Sequence, residues 1–384
     1  MNQPQGASTR RRSVRQRIAF GVLATVLSAL VALTALEIAL RVTRSGDWAS
    51  TLQEVLMADP ATGYRPRPGA QMRYATREFA TDIRINSVGV RDEEIGTKAP
   101  NERRILVLGD SMVMAVQVPL EQTFVKRLEQ RLNAQAGGTG TYYRVINAGV
   151  QGYGPVEEYS FFMRIAPAIR PDLVLLVVYV GNDALDAAAS AWRLDQVAPA
   201  RAAHAAVWEA VRRLSRRSAA IQFFRQGLAN LRWQTGQVPA RDALMDAYLA
   251  DPPSTVKRGF EVARTCLERL KLAASARKAR TAVVLLPARF QFDSEEFARL
   301  ADLASGAVRA HYVRDGASEH FRAALAPVGV PLCDLLPVFR SRRDVSAFYF
   351  HYNAHLTSLG HEVVAEALAR FLSEAGLVGV APAN

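Results

Sequence analysis

Cysteine is nearly absent: only Cys266 and Cys333 occur, far apart in 384 residues. Neither lies in a Cys-x-x-Cys or another metal-ligand spacing. Two buried thiols are expected, since free cysteine packs as a small apolar residue; one disulfide is the alternative. Zinc-finger spacing and RNA-binding aromatic motifs are also missing, so the net charge of +12 is not read as a nucleic-acid footprint. No acid precedes Glu37, whereas Arg10, Arg11, Arg12, Arg15 and Arg17 crowd the start. What the chain does have is apolar residues, 49%, enough to exclude a mainly disordered protein.

One apolar run is long. Ile18 to Leu40 covers 23 residues with Glu37 as its single charge. As a helix it would extend roughly 35 Å at ~1.5 Å per residue, enough for a bilayer. A cleaved signal peptide is the competitor, but no good Ala-x-Ala site ends the run. Arginines ahead of the span place the amino terminus in the cytoplasm and the remainder outside. The organisation expected is a basic tail (1–17), a single transmembrane anchor (18–40), a linker and extension (41–103) and a main domain (104–376). Within the extension, Gly63–Gly69 is turn-rich, Met72 to Ile85 alternates like a hairpin, and Asn86–Asp92 is a loop with an ordering role.

From Arg104 the pattern alternates strand and helix. Ile105–Leu108 is a continuous apolar run ending at Gly109-Asp110-Ser111. A helix over Leu120–Asn133 follows, then a strand at Tyr142–Ile146 that exits through the glycine-rich Asn147–Gly154, and a helix from about Val156. Asp172–Tyr179 is the most apolar strand and exits at Gly181-Asn182-Asp183. Residues 186–252, rich in Ala and Arg with helical patterns at 203–215 and 218–232, interrupt the rhythm; a lid and a plain surface excursion are equally open. Further elements are a helix at Val256–Leu272, a strand at Thr281–Leu286, helices near 294–309 and 316–326, a strand at Val328–Cys333, a loop at Phe348–Ser358 and a last helix at Gly360–Ala375. Such alternation implies a parallel sheet covered by helices on both faces.

Ser111, the Gly149/Gly152 loop and Asn182 then lie at strand exits on one sheet edge, where α/β proteins bind ligands. Acyl transfer needs that convergence: a nucleophile with donors around the oxygen that turns negative. The backbone N–H groups of Ser111 and Gly152 and the Asn182 amide are three such donors. A serine needs a base, and of six histidines only His351 and His355 follow the last strand in a loop. Their four-residue spacing could also suggest a metal pair, but no carboxylate ligand lies nearby in sequence.

Gly109-Asp-Ser111, Gly152, Gly181-Asn-Asp183 and His355-Leu-Thr-Ser-Leu-Gly360 resemble, in order and spacing over about 104–375, the four blocks of the SGNH/GDSL hydrolases. Ile85–Asp92 and the apolar segment resemble those of membrane-tethered bacterial members. The resemblance implies a flavodoxin-like three-layer α/β/α fold, ester hydrolysis or acyl transfer, no cofactor or metal, and no Gly-x-Ser-x-Gly elbow. It makes Ser111 the nucleophile, Ser111, Gly152 and Asn182 the oxyanion hole, and His355 the base. The substrate it implies is an ester-bearing envelope carbohydrate or lipid, met on the periplasmic side of the inner membrane.

One position departs from the pattern. Where the family carries Asp before the histidine, this chain has Asn353, with Tyr352 beside it. An amide oxygen can accept from the imidazole but supplies no charge. In serine proteases the Asp→Asn change costs ~10⁴ in turnover. Three readings are open: a Ser–His dyad, an acid from elsewhere such as Asp334 or Asp344, or a binding-only relative. Asp110 and Asp183 are read as loop-holding residues, and His361 as packing the last helix.

Overall fold

The computed structural model describes residues 14–43, 52–76, 78–138, 140–194, 243–302, 311–342 and 345–379. The apolar run forms one helix, α1 (Val14–Thr43), in a unit separate from the α/β unit. Its Phe20–Ala39 stretch, with mean hydropathy 2.2, is long and apolar enough to cross a membrane.

In the α/β unit two antiparallel hairpins come first: β1 (Leu56–Asp59) with β2 (Gly63–Pro66), and β3 (Gln71–Ala75) with β4 (Ala80–Arg84). The second is the hairpin expected from alternation. It buries Met72 and Ile83, with Ile85, against Met114 and Val116 just beyond Ser111. Burying each such side chain is worth about 1.5–3 kcal/mol.

The main sheet has five parallel strands: β5 (Glu102–Gly109), β6 (Tyr142–Gly149), β7 (Leu173–Tyr179), β8 (Arg280–Leu286) and β9 (Leu332–Asp334). Their order is β6-β5-β7-β8-β9, the flavodoxin-like arrangement. Side chains alternate between faces, as strand geometry requires. Leu106, Leu108, Val174 and Leu176 pack with α4 (Pro155–Ile169), α6 (Ser254–Ser275) and α8 (Gly316–Leu325). Ile105, Val107, Leu175 and Val177 pack on the other face with α3 (Phe124–Gln135), α9 (Leu336–Arg340) and α10 (Ser358–Glu374). Two short helices sit at strand exits, α2 (Ser111–Met114) and α5 (Asp183–Ser190), and α7 (Ser294–Asp302) precedes α8.

Several boundaries move. The last strand starts at Leu332, because Ala326–Val328 is a 3-10 turn closed by Gly329 at φ +64. Of the helix expected near 294–309, α7 is described as far as Asp302, and residues 303–310 lie outside the described ones. Of the insertion at 186–252, its start belongs to α5. Met245, Ala247 and Tyr248 near its end are buried in the core, so that end is not a surface excursion. The helical patterns at 203–215 and 218–232, and with them the lid, lie outside the described residues. Cys266 is buried, Cys333 half-buried, and both are free thiols.

Candidate active site

The end of β5 and the start of α2 are built for close approach. Gly109 and Gly149 are paired at the carboxyl ends of adjacent strands. A Cβ on Gly149 would lie 2.1 Å from the Met114 backbone nitrogen, so α2 rests directly on this strand end. Asp110 caps α2 by accepting the Met112 N–H at 2.8 Å. The far end of α2 is Ala115, in the left-handed region at φ 51. Buried Arg91 holds it by donating to the carbonyls of Met114 and Ala115 and, at 2.7 Å, of Val118. Asp92 pairs with buried Lys126 at 2.9 Å and accepts the Asn147 N–H at 2.8 Å. The Asn86–Asp92 loop therefore has the expected ordering role.

His355 is carried by the loop after α9. Its backbone N–H donates to Asn353 O, and its carbonyl accepts from Phe350 N–H. Arg289 donates to the Phe350 and His351 carbonyls, both at 3.1 Å, and pairs with Glu296. The loop so held puts His355 Nε2 2.8 Å from Ser111 Oγ and His355 Nδ1 2.5 Å from Asn353 Oδ1. An amide oxygen only accepts, so the proton sits on Nδ1 and Nε2 is free to accept from the serine hydroxyl. Burial lowers the His355 pKa to about 4. With both ring nitrogens engaged, His355 does not form a metal pair with His351, whose ring packs edge-on against exposed Tyr352.

Asp334 accepts the Leu336 N–H and faces Arg322 at 3.3 Å. Asp344 lies outside the described residues. Asp183 accepts the Tyr179 N–H at 2.8 Å, a loop-holding contact like that of Asp110. His361 accepts the Phe124 N–H at 3.2 Å and stacks on the Phe124 ring, tying α10 to the start of α3.

Gly152 adopts φ +71, a left-handed conformation that favours glycine. Tyr64, which the sequence reading passed over within a turn-rich segment, donates its hydroxyl to Gln151 O at 2.7 Å. Carbonyl and N–H of one trans peptide point in opposite directions, so this bond turns the Gly152 N–H away from Tyr64. Among the described residues, neither the Ser111 nor the Gly152 N–H donates to another backbone group. Asn182 occupies the N-cap of α5, but its side chain does not cap; it donates instead to Asp186 at 2.8 Å.

Beneath this edge lies a set of buried carboxyls. Burial raises Asp110 to about 7 even though the Met112 N–H favours the charged form, and raises Asp186 to about 6 with help from Glu157. Glu158 and Asp183 are pushed well above the usual carboxylate range by burial first, and then by the charge of Asp110 on Glu158 and of Glu158 on Asp183.

Sequence comparison bears on the second half of this unit. Residues 250–384 match the family described as "SGNH hydrolase-like domain, acetyltransferase AlgX". Residues 250–384 are thus similar to an SGNH hydrolase-like domain. The matched segment contains His355 and Asn353; Ser111, Gly152 and Asn182 precede it. No curated protein matches the chain. Solved structures similar to this chain include a lipase/acylhydrolase from Enterococcus faecalis, 14% identical, covering 73% of this chain and 99% of that one with TM-score 0.40. An acetylxylan esterase from Geobacillus stearothermophilus, a catalytic mutant, is 11% identical over 72% of this chain and 96% of that one, TM-score 0.40. TesA is 14% identical over 71% of this chain and 99% of that one, TM-score 0.38.

Proposed function

We propose that the protein is a serine-dependent ester hydrolase acting through a covalent acyl-enzyme. The relay Ser111–His355–Asn353, at 2.8 and 2.5 Å, is the observation that carries this reading. His355, neutral at physiological pH, takes the Ser111 proton as Oγ attacks the ester carbonyl. The Ser111 and Gly152 N–H groups and the Asn182 amide stabilise the oxyanion. Collapse releases the alcohol, protonated by His355, and water attacks the acyl-enzyme by the reverse proton path. Asn353 orients the imidazole without stabilising its charged form, so the enzyme works as a supported dyad.

The substrate class is acyl groups on envelope carbohydrate or lipid. The Phe20–Ala39 helix serves as a single-pass anchor, with the SGNH-like domain on the extracytoplasmic side, in keeping with the arginines ahead of it. Acyl transfer to a sugar hydroxyl is the second reading, favoured by the acetyltransferase family that residues 250–384 match.

The test is turnover of 4-nitrophenyl acetate by the detergent-solubilised chain, with Ser111→Ala as control and a serine-reactive phosphonate as label. Turnover and labelling that both vanish in the variant are expected. Absence of both in the unaltered protein would leave binding only, the outcome that Asn353 would then explain. Diversion of product from free acid to sugar ester on adding an acceptor oligosaccharide would select transfer.

A further inference from the structure

Asn is among the best N-cap residues because its side chain can bond the first free N–H groups of the helix. Asn182 stands at that position of α5 and does not do so. Its Nδ2 donates to Asp186 Oδ2 at 2.8 Å, while the Asp186 N–H returns to Asn182 O at 3.0 Å. Asn182 Oδ1 is buried without a partner among the described residues. A carboxylate accepts only, so it obliges the amide to present NH2 rather than oxygen. One N–H is then committed to Asp186 and the second is left to donate elsewhere. Asp186 in turn fits because position 154 is glycine: a Cβ there would lie 2.8 Å from Asp186 Cβ and 3.4 Å from the Ala187 nitrogen.

We propose that Asp186 is a positioning residue for the oxyanion hole, fixing which way the Asn182 amide faces, with Gly154 as the gap that admits it. This rests on the esterase reading of the site. Without Asp186 the unpartnered Oδ1 and the NH2 group can exchange places, and half of the orientations would point an acceptor at the developing oxyanion. The groups around Asp186 are Glu157, itself paired with Arg193 at 3.2 Å, together with Asp110, Glu158 and Asp183. Burial and then the Glu157 charge disfavour the charged form of Asp186, so the device weakens as acid protonates Asp186 and lets it donate to Oδ1 instead.

The experiment is a double-mutant cycle on 4-nitrophenyl acetate hydrolysis with Asp186→Asn, Asn182→Ala and the pair. Removing one oxyanion donor costs ~10²–10³ in kcat, and misorienting it part of that, so Asp186→Asn is expected to lower kcat roughly 10- to 100-fold with KM within about twofold. In the Asn182→Ala background the Asp186→Asn change is expected to cost nothing further. The limb of kcat near pH 6 is expected to disappear in Asp186→Asn, and Gly154→Ala to reproduce the kcat loss. Additive losses in the pair, or a lowered Tm with kcat unchanged, would mean that Asp186 only braces α5. An unaltered protein without turnover or phosphonate labelling would overturn the esterase reading itself, and this proposal with it.

Discussion

Asn353 is where chemistry and sequence disagree most. Its oxygen selects the productive imidazole tautomer, but nothing at that position favours the imidazolium, and burial holds His355 at about 4. In the proposed esterase His355 is therefore neutral at every pH above about 4, so a second, lower acid limb of kcat/KM is expected there, below the step near pH 6 that belongs to Asp186. Asn353→Asp should raise kcat about tenfold or more and move that limb upward, because an adjacent carboxylate stabilises the charged ring. An unchanged profile would show that residue 353 does not act on His355. Tyr64→Phe tests the other wall of the site. Losing its bond to Gln151 O frees the Gly152 peptide to turn, and kcat is expected to fall roughly tenfold with KM little altered, part of the effect of a full donor.

At the scale of elements, the site depends on how α2 is held between its glycine-lined floor and Arg91. Arg91→Met keeps much of the volume but strands three buried carbonyls, and a loss of about 3 kcal/mol or more is expected by chemical denaturation. Activity should fall in the same variant even under conditions where it is folded, since α2 carries Ser111. α10 has a comparable dependence on the His355 loop. A Cβ on Gly360 would lie 2.3 Å from Phe348 O, so Gly360→Ala should force the loop and helix apart and abolish turnover; phosphonate labelling of Ser111 would register the loss. The turn carrying Ser111, the loop carrying His355 and the last helix were all legible in the sequence. That Arg91 reaches across to α2 was not, because its partners are backbone carbonyls 23 to 27 residues away, which no side-chain pattern records.

For the whole molecule, buried titratable groups set the pH dependence of stability, and they pull in opposite directions. His355 and His361 are held near 4 and 3 in the folded protein, so the unfolded chain binds more protons as pH falls below about 6.5, and stability is lost on acidification. Asp110, held at about 7 when folded, ionises early when unfolded, and burial shifts Glu158 and Asp183 in the same direction. Their contribution is present at low pH and lost as pH rises. Above pH 6.5 the histidine contribution is flat, so Tm in detergent is expected to decline from about pH 6.5 to 8, and Asp183→Asn to flatten that decline. A rising Tm over that range would show these carboxyls ionised in the folded state.

The sequence by itself determined the parallel sheet, its two helical faces and the strand exits bearing Ser111, Gly152 and Asn182. Those features are written in local periodicity: continuous apolar runs for strands buried on both sides, and helical spacing between them. It also singled out His355 from its loop after the last strand, and the family resemblance singled out the anomaly at Asn353. Only the tertiary structure decided how these residues are held. Arg91 on Ala115, Tyr64 on the Gln151–Gly152 peptide and Asp186 on Asn182 are orientation effects, made by hydrogen bonds whose partners are backbone groups or a side chain turned away from its usual cap. Orientation of a peptide or an amide leaves no periodic trace in a sequence, because it is fixed by where two segments meet and not by what either segment is.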